Sequence, residues 1–172
     1  MTITEAERRR RERRDDLALV NVGFFLFLIG LIYALNPGVA GEVVDFFRDL
    51  RLTPVVPGVL LPAPGGNHPG LYYPLSEFSF VYGIFHVAIL AARFVIGSPL
   101  SQKASTVSGI IFWPGLGFFF LILGNGTIAW FEFVTGVIIL IGLGLVAQGA
   151  ALAAGRSLAR PRPYAETGPV RP

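Results

Sequence analysis

Polar and apolar residues fall into blocks along this chain instead of alternating. Four long apolar runs, Leu17–Leu35, Phe78–Ile96, Thr106–Leu123 and Ile128–Gly149, are separated by polar or proline-rich stretches. A hydrocarbon core of about 30 Å is crossed by roughly 20 helical residues at about 1.5 Å rise each. Barrel strands would instead show alternating segments of about ten residues. The pattern predicts an all-α membrane protein, a four-transmembrane-helix bundle with spans at 17–35, 76–97, 105–124 and 128–150. Residues 1–16 read as an N-terminal segment, 17–155 as the membrane domain and 156–172 as a flexible tail.

The longest polar interruption, residues 36–74, follows the first span. Asn36-Pro37-Gly38 stops that helix. Val39, Val43, Phe46, Phe47 and Leu50 then recur at helical spacing, with Glu42, Asp45, Arg48 and Asp49 on the other side. This predicts an external amphipathic helix over 39–50. Thr53–Pro74 holds six prolines and four glycines. Proline supplies no backbone N–H, so the segment reads as an extended external loop with too few donors for a sheet. Val55, Val56, Val59, Leu60 and Leu61 would lay it against the bundle or the membrane. Such a long loop is the place to seek a partner contact. His68 reads as a solvated loop residue.

Inside the spans the small and helix-bending residues are informative. Pro114, beside Gly115 and Gly117, predicts a kink in the third span. Ser105, Thr106 and Ser108 are candidates to cap or start that span. Thr135, Gly142 and Gly149 repeat every seven residues in the fourth span; Ser101, Ser108 and Gly115 do so in the third, and Gly23 and Gly30 in the first. Small faces let helices approach closely, which favours a compact bundle or a dimer of bundles. Gly23–Gly30 (GFFLFLIG) and Gly117–Gly124 (GFFFLILG) are alike, as are Phe80–Ile84 (FVYGI) and Phe133–Val137 (FVTGV). A duplicated helical hairpin would produce both pairs.

Charge sets the expected direction of threading. Arg8–Arg11, Arg13 and Arg14 precede the first span, Arg93 and Lys103 bracket the turn between the second and third, and Arg156, Arg160, Arg162 and Arg171 follow the fourth. Only Arg48 and Arg51 lie on the other side, a split of twelve against two. Basic residues stay cytoplasmic during insertion, so both termini should be cytoplasmic in a multi-pass plasma-membrane protein. Tyr33, Tyr72, Tyr73 and Trp130 would sit at the outer interface. The arginine run abuts a span, so lipid is its expected neighbour and not nucleic acid. Anionic lipid is the natural contact of Arg8–Arg14. The chain has no cysteine. That removes disulfides, thiol nucleophiles and cysteine-ligated clusters.

Few polar groups are left to carry chemistry. Ser79, Tyr82, His86 and Arg93 fall on one face of the second span. Arg93 can snorkel to the headgroups. His86 can hydrogen-bond to a neighbouring helix, or serve as a proton relay or ligand contact. Glu77 and Glu132 lie near the outer ends of their spans. Glu77 is half a turn away from His86, at about 100° per residue, so it does not join His86. Both carboxylates are expected to reach the interfacial water, with a meeting of Glu77 with the loop or with Glu132 as the alternative. A single histidine is a poor metal site, since metals take three or four donors. No catalytic set, cofactor or metal is predicted.

GFFLFLIGLIYALNP (Gly23–Pro37), LLPAPG (Leu60–Gly65) and SPLSQKASTVSGIIFW (Ser98–Trp113), with the arginine-rich start, resemble small four-span archaeal membrane proteins of unknown function over most of residues 8–150. That group has no assigned activity, so the resemblance implies a fold and no chemistry. The leading expectation is a non-enzymatic accessory, scaffold or partner-binding subunit, as a homo-oligomer or within a membrane complex. The alternative is a small transporter or proton- or ion-coupled protein using His86, Glu77 and Glu132.

Overall fold

A computed structural model of the chain describes residues 5–158, with side chains from Leu17 onward except those of Arg156 and Leu158. The side chains of Arg8–Arg14 and the tail after Leu158 lie outside the described residues, and so do the expectations placed on them. The elements are α1 (Glu5–Leu35), α2 (Val39–Arg48), β1 (Leu50–Val56), β2 (Val59–Pro64), α3 (Pro69–Val95), α4 (Leu100–Gly124) and α5 (Trp130–Leu158). Four helices, α1 from Leu17, α3, α4 and α5, are long and apolar enough to cross a membrane.

Local chemistry explains the boundaries. Pro69 opens α3, where a missing N–H costs nothing. Gly97, at φ +71°, closes it, and the Ser98 N–H bonds back to the Arg93 carbonyl at 2.9 Å. α4 starts at Leu100, directly after Pro99. Ser105, Thr106 and Ser108 therefore lie inside α4 and do not cap it. α4 runs unbroken through Pro114.

Neighbouring spans run antiparallel. The Ser76 hydroxyl donates to the Gly117 carbonyl at 2.8 Å, and Arg93 reaches Gln102 at the other end of the same pair. The α3–α4 and α4–α5 contacts are extensive, whereas α1 leans chiefly on α3. The spans thus form an open row, α1–α3–α4–α5, with one side of α1 and one side of α5 facing away from the protein. The α2 helix, the hairpin and the α4–α5 turn occupy one end of this row. The α3–α4 turn and the outer ends of α1 and α5 occupy the other. A core of Leu71, Tyr72, Leu123 and Phe133 sits at the hairpin end, with Val39, Phe46 and Trp130 packed on it. Tyr72 is 2% exposed, so it belongs to this core and not to an interfacial belt.

The expected structureless loop is corrected in two places. Its last residues, Pro69–Pro74, belong to α3, and Pro74 is buried there. Its first part pairs as an antiparallel hairpin, with Leu50 opposite Pro64, Leu52 opposite Pro62 and Pro54 opposite Leu60. The Gly65 N–H donates to the Asp49 carbonyl at 3.0 Å, just outside the Leu50/Pro64 pair. In an antiparallel ladder, bonded and non-bonded pairs alternate. Pro54, Pro62 and Pro64 therefore all occupy non-bonded pairs, where no N–H is needed. Pro57 falls in the turn beside Gly58, whose φ is +84°. Counting prolines without their parity hid the sheet.

Candidate functional site

Two polar clusters stand out, one along α3 within the spans and one at the hairpin end. The first begins with Ser76 on the Gly117 carbonyl. Ser79 bonds back to the Leu75 carbonyl of its own helix at 2.7 Å. The Tyr82 hydroxyl donates to Asn21 Oδ1 on α1 at 3.1 Å. His86 Nδ1 lies 2.9 Å from the Tyr82 carbonyl. A carbonyl only accepts, so Nδ1 carries a proton, and in the neutral ring Nε2 keeps a lone pair. The expected bond to a neighbouring helix is thus replaced by one to its own. The His86 ring stands edge-on to Tyr82 at 4.6 Å, and Trp113 of α4 meets Tyr82 at 4.8 Å. Gly109 of α4 makes room for it: a Cβ there would lie 2.5 Å from His86 Cδ2 and 2.9 Å from Nε2.

Arg93 lies two helical turns beyond His86. Its guanidinium donates to the Gln102 carbonyl and to the Thr106 hydroxyl. Thr106 in turn donates to the Gln102 carbonyl at 2.9 Å. Arg93 therefore ties α3 to the first turns of α4 instead of reaching outward. Its Nε is buried without a hydrogen-bond partner among the described residues. Lys103 places its ammonium 4.4 Å above the Phe94 ring, anchoring the same turn.

At the hairpin end Asp49 is the hub. Its Oδ2 accepts from the Gly66 N–H at 2.7 Å and lies 3.2 Å from His68 Nε2, while Oδ1 accepts from Arg51 at 3.1 Å. The His68 bond, with the Gly66 N–H and Arg51 beside it, holds the Asp49 carboxyl below its ordinary value of 3.8 against partial desolvation. His68 is not a solvated loop residue. Its side chain is 13% exposed and it stands edge-on to Phe46 and Tyr72. Asn67 donates to the Gly124 carbonyl at 3.0 Å, Tyr73 to Asn125 Oδ1 at 2.8 Å and Trp130 to the Pro62 carbonyl at 3.2 Å. These bonds fasten the hairpin and the start of α3 to α4 and α5.

The two intramembrane carboxylates do not meet. Glu132 Oε2 accepts from the Ala129 N–H at 2.8 Å, closing the first turn of α5 in the manner of a capping box. Glu77 is exposed, and no hydrogen bond or ion pair joins it to Glu132 or His86 among the described residues. Of the polar candidates, only Tyr82 and His86 are brought together.

The packing candidates divide. Gly115 accepts the Leu140 side chain, and the Ser108 hydroxyl lies against Gly144. Gly23, Gly30, Gly142 and Gly149 have open space where a Cβ would be. Thr135 bonds to its own Phe131 carbonyl at 2.8 Å. Another close approach of α3 to α4 is at Gly83, where a Cβ would fall 2.5 Å from Pro114 Cγ. Gly117 packs on Phe80 and Gly124 on Tyr73, unlike Gly23 and Gly30 in the similar stretch of α1.

Spacing arguments do not find Asn21, Asp49 or Gly83. Asn21 carried a signal: it is the one amide in the first apolar run, and a polar group in hydrocarbon seeks a partner helix. Among the described residues, no group of three or more His, Asp or Glu could hold a metal ion. The arrangement is a set of ties between helices. Among the described residues, no acid, base and nucleophile converge. No family model matches the chain, and no curated protein or solved structure is significantly similar to it.

Proposed function

We propose that this multi-pass membrane protein is a non-enzymatic, partner-binding subunit of the plasma membrane, with both termini cytoplasmic. One observation carries the reading: at Gly23 and Gly30 of α1 and at Gly142 and Gly149 of α5, no described atom beyond the glycine's own stretch of helix lies within 4 Å of where a side chain would start. In lipid, helices associate through close approach of small residues, because there is no hydrophobic drive between them. Both faces lie at the ends of the open row of spans, where another helix has access. A second copy or a different membrane subunit would fill either.

The twelve-to-two division of basic residues supports the orientation. With that orientation, α2 and the hairpin are an external amphipathic helix and an external proline-rich segment. The transporter reading has less support. Glu132 caps a helix, Glu77 stands apart, and His86 is turned onto its own backbone.

Crosslinking in native membranes tests the proposal. A defined oligomer or partner band is expected, weakened by Gly23→Leu/Gly30→Leu or by Gly142→Leu/Gly149→Leu. Both double variants should leave the monomer folded, since the positions are open. Recovery of free monomer alone from the wild type refutes the proposal.

A further inference from the structure

Between α1 and α3, beneath α2, runs a groove of about 520 Å³. Phe25, Ile29 and Tyr33 form one wall, Leu75 and Phe78 the other, and Val43 belongs to the roof. Every lining group is apolar except the Tyr33 phenol. We infer that this groove is a binding site for a single hydrocarbon chain of a bilayer lipid. The inference does not depend on the partner-binding reading.

Size and surroundings select the occupant. Both walls belong to helices long and apolar enough to span a membrane, so the medium beside them is hydrocarbon. The volume falls in the range that holds one small ligand. From Phe25 to Tyr33, α1 rises about 12 Å at about 1.5 Å per residue, close to the depth of one leaflet of a core of about 30 Å. A partner helix would have to lay an apolar stripe along α1 and α3 in place of lipid, and a second copy doing so is the competing occupant. Of the chain outside the described residues, the longer segment, 159–172, carries Arg160, Arg162, Arg171 and Glu166. Placing those charges in an apolar slot is costly. α2 crosses the groove at the end where α1 stops, so a chain would enter from the side and rest under the α2 roof.

Photocrosslinking tests this with the full chain in phospholipid nanodiscs containing phosphatidylcholine with a diazirine midway along one acyl chain. Adducts mapped by peptide mass spectrometry should be several-fold more frequent at Ile29, Val43 and Leu75 than at Ile138 and Val146, which lie exposed on α5. Val43→Trp and Leu75→Trp should each remove that excess, and Ile138→Trp should not. The unmodified chain decides the matter even if a tryptophan variant misfolds. Adducts that merely follow exposure along α1 and α5 overturn the inference, as does a crosslink from a second copy across the groove.

Discussion

Gly83→Ala isolates one close contact of the α3–α4 seam. Gly83 is buried, and an added Cβ would lie 2.5 Å from Pro114 Cγ and 2.7 Å from Cδ. Carbon atoms pack at about 3.5–4.0 Å, so the shortfall is roughly 1.0–1.5 Å. The proline ring is fused to the α4 backbone; a change of pucker can shift Cγ, but Cδ, also within 2.7 Å, cannot retreat far. The two helices must separate, which also stretches the bond from Ser76 to the Gly117 carbonyl. Overpacking of this kind costs about 1–3 kcal/mol. Opposing it, alanine is favoured over glycine in helices by about 1 kcal/mol. A net loss of up to about 2 kcal/mol is expected. Reversible unfolding in mild detergent measures it, with Gly142→Ala as the open-site control. Adding Pro114→Ala to Gly83→Ala should recover most of the loss in a double-mutant cycle. If Gly83→Ala is as mild as Gly142→Ala, or the cycle shows no coupling, the close approach is not what holds the pair together.

Three further outcomes follow from the same geometry. Ser76→Ala should lower stability by about 0.6–2 kcal/mol, the range for hydrogen bonds between membrane helices, while Ser79→Ala, whose bond is within its own helix, should not loosen α3 from α4; interhelical crosslinking efficiency separates the two. Asn21→Leu and Tyr82→Phe should each free α1 from α3 and couple by about 0.6 kcal/mol in a double-mutant cycle; strict additivity would refute the tie. Asp49 is held below 3.8 in the folded chain, so its contribution is whole above that pH and is lost as the pH falls beneath it. Hydrogen exchange at the Gly66 amide should therefore stay constant from neutral pH down to about 4 once corrected for intrinsic rate, then rise, and Asp49→Asn should abolish the dependence; a rise already between pH 7 and 5 would refute it.

The four spans were legible because burial in hydrocarbon imposes length and apolarity on every residue of a segment, whatever its neighbours. The Asn36-Pro37-Gly38 stop was legible for a similar reason: proline has no N–H with which to continue a helix, and α1 ends at Leu35. His86 and Tyr82 were placed together correctly, since helical periodicity alone puts residues four apart on one face. Glu77 and Glu132 were not separable from a carboxylate pair until the Glu132 bond to the Ala129 N–H was seen. The hairpin was missed because a proline count does not reveal pairing parity, and parity depends on which residue faces which.

Hydropathy thus suffices for what each stretch of this chain must do alone: enter lipid, stop and turn. These are solvation energies, and they are nearly independent of the rest of the fold. Which glycines are filled and which stay open, why Arg93 grips α4, and why Asp49 gathers His68, Arg51 and Gly66 are matters of relative position. They follow from helix rotation and strand register, where a shift of a single residue exchanges one set of contacts for another at almost no change in composition or hydropathy.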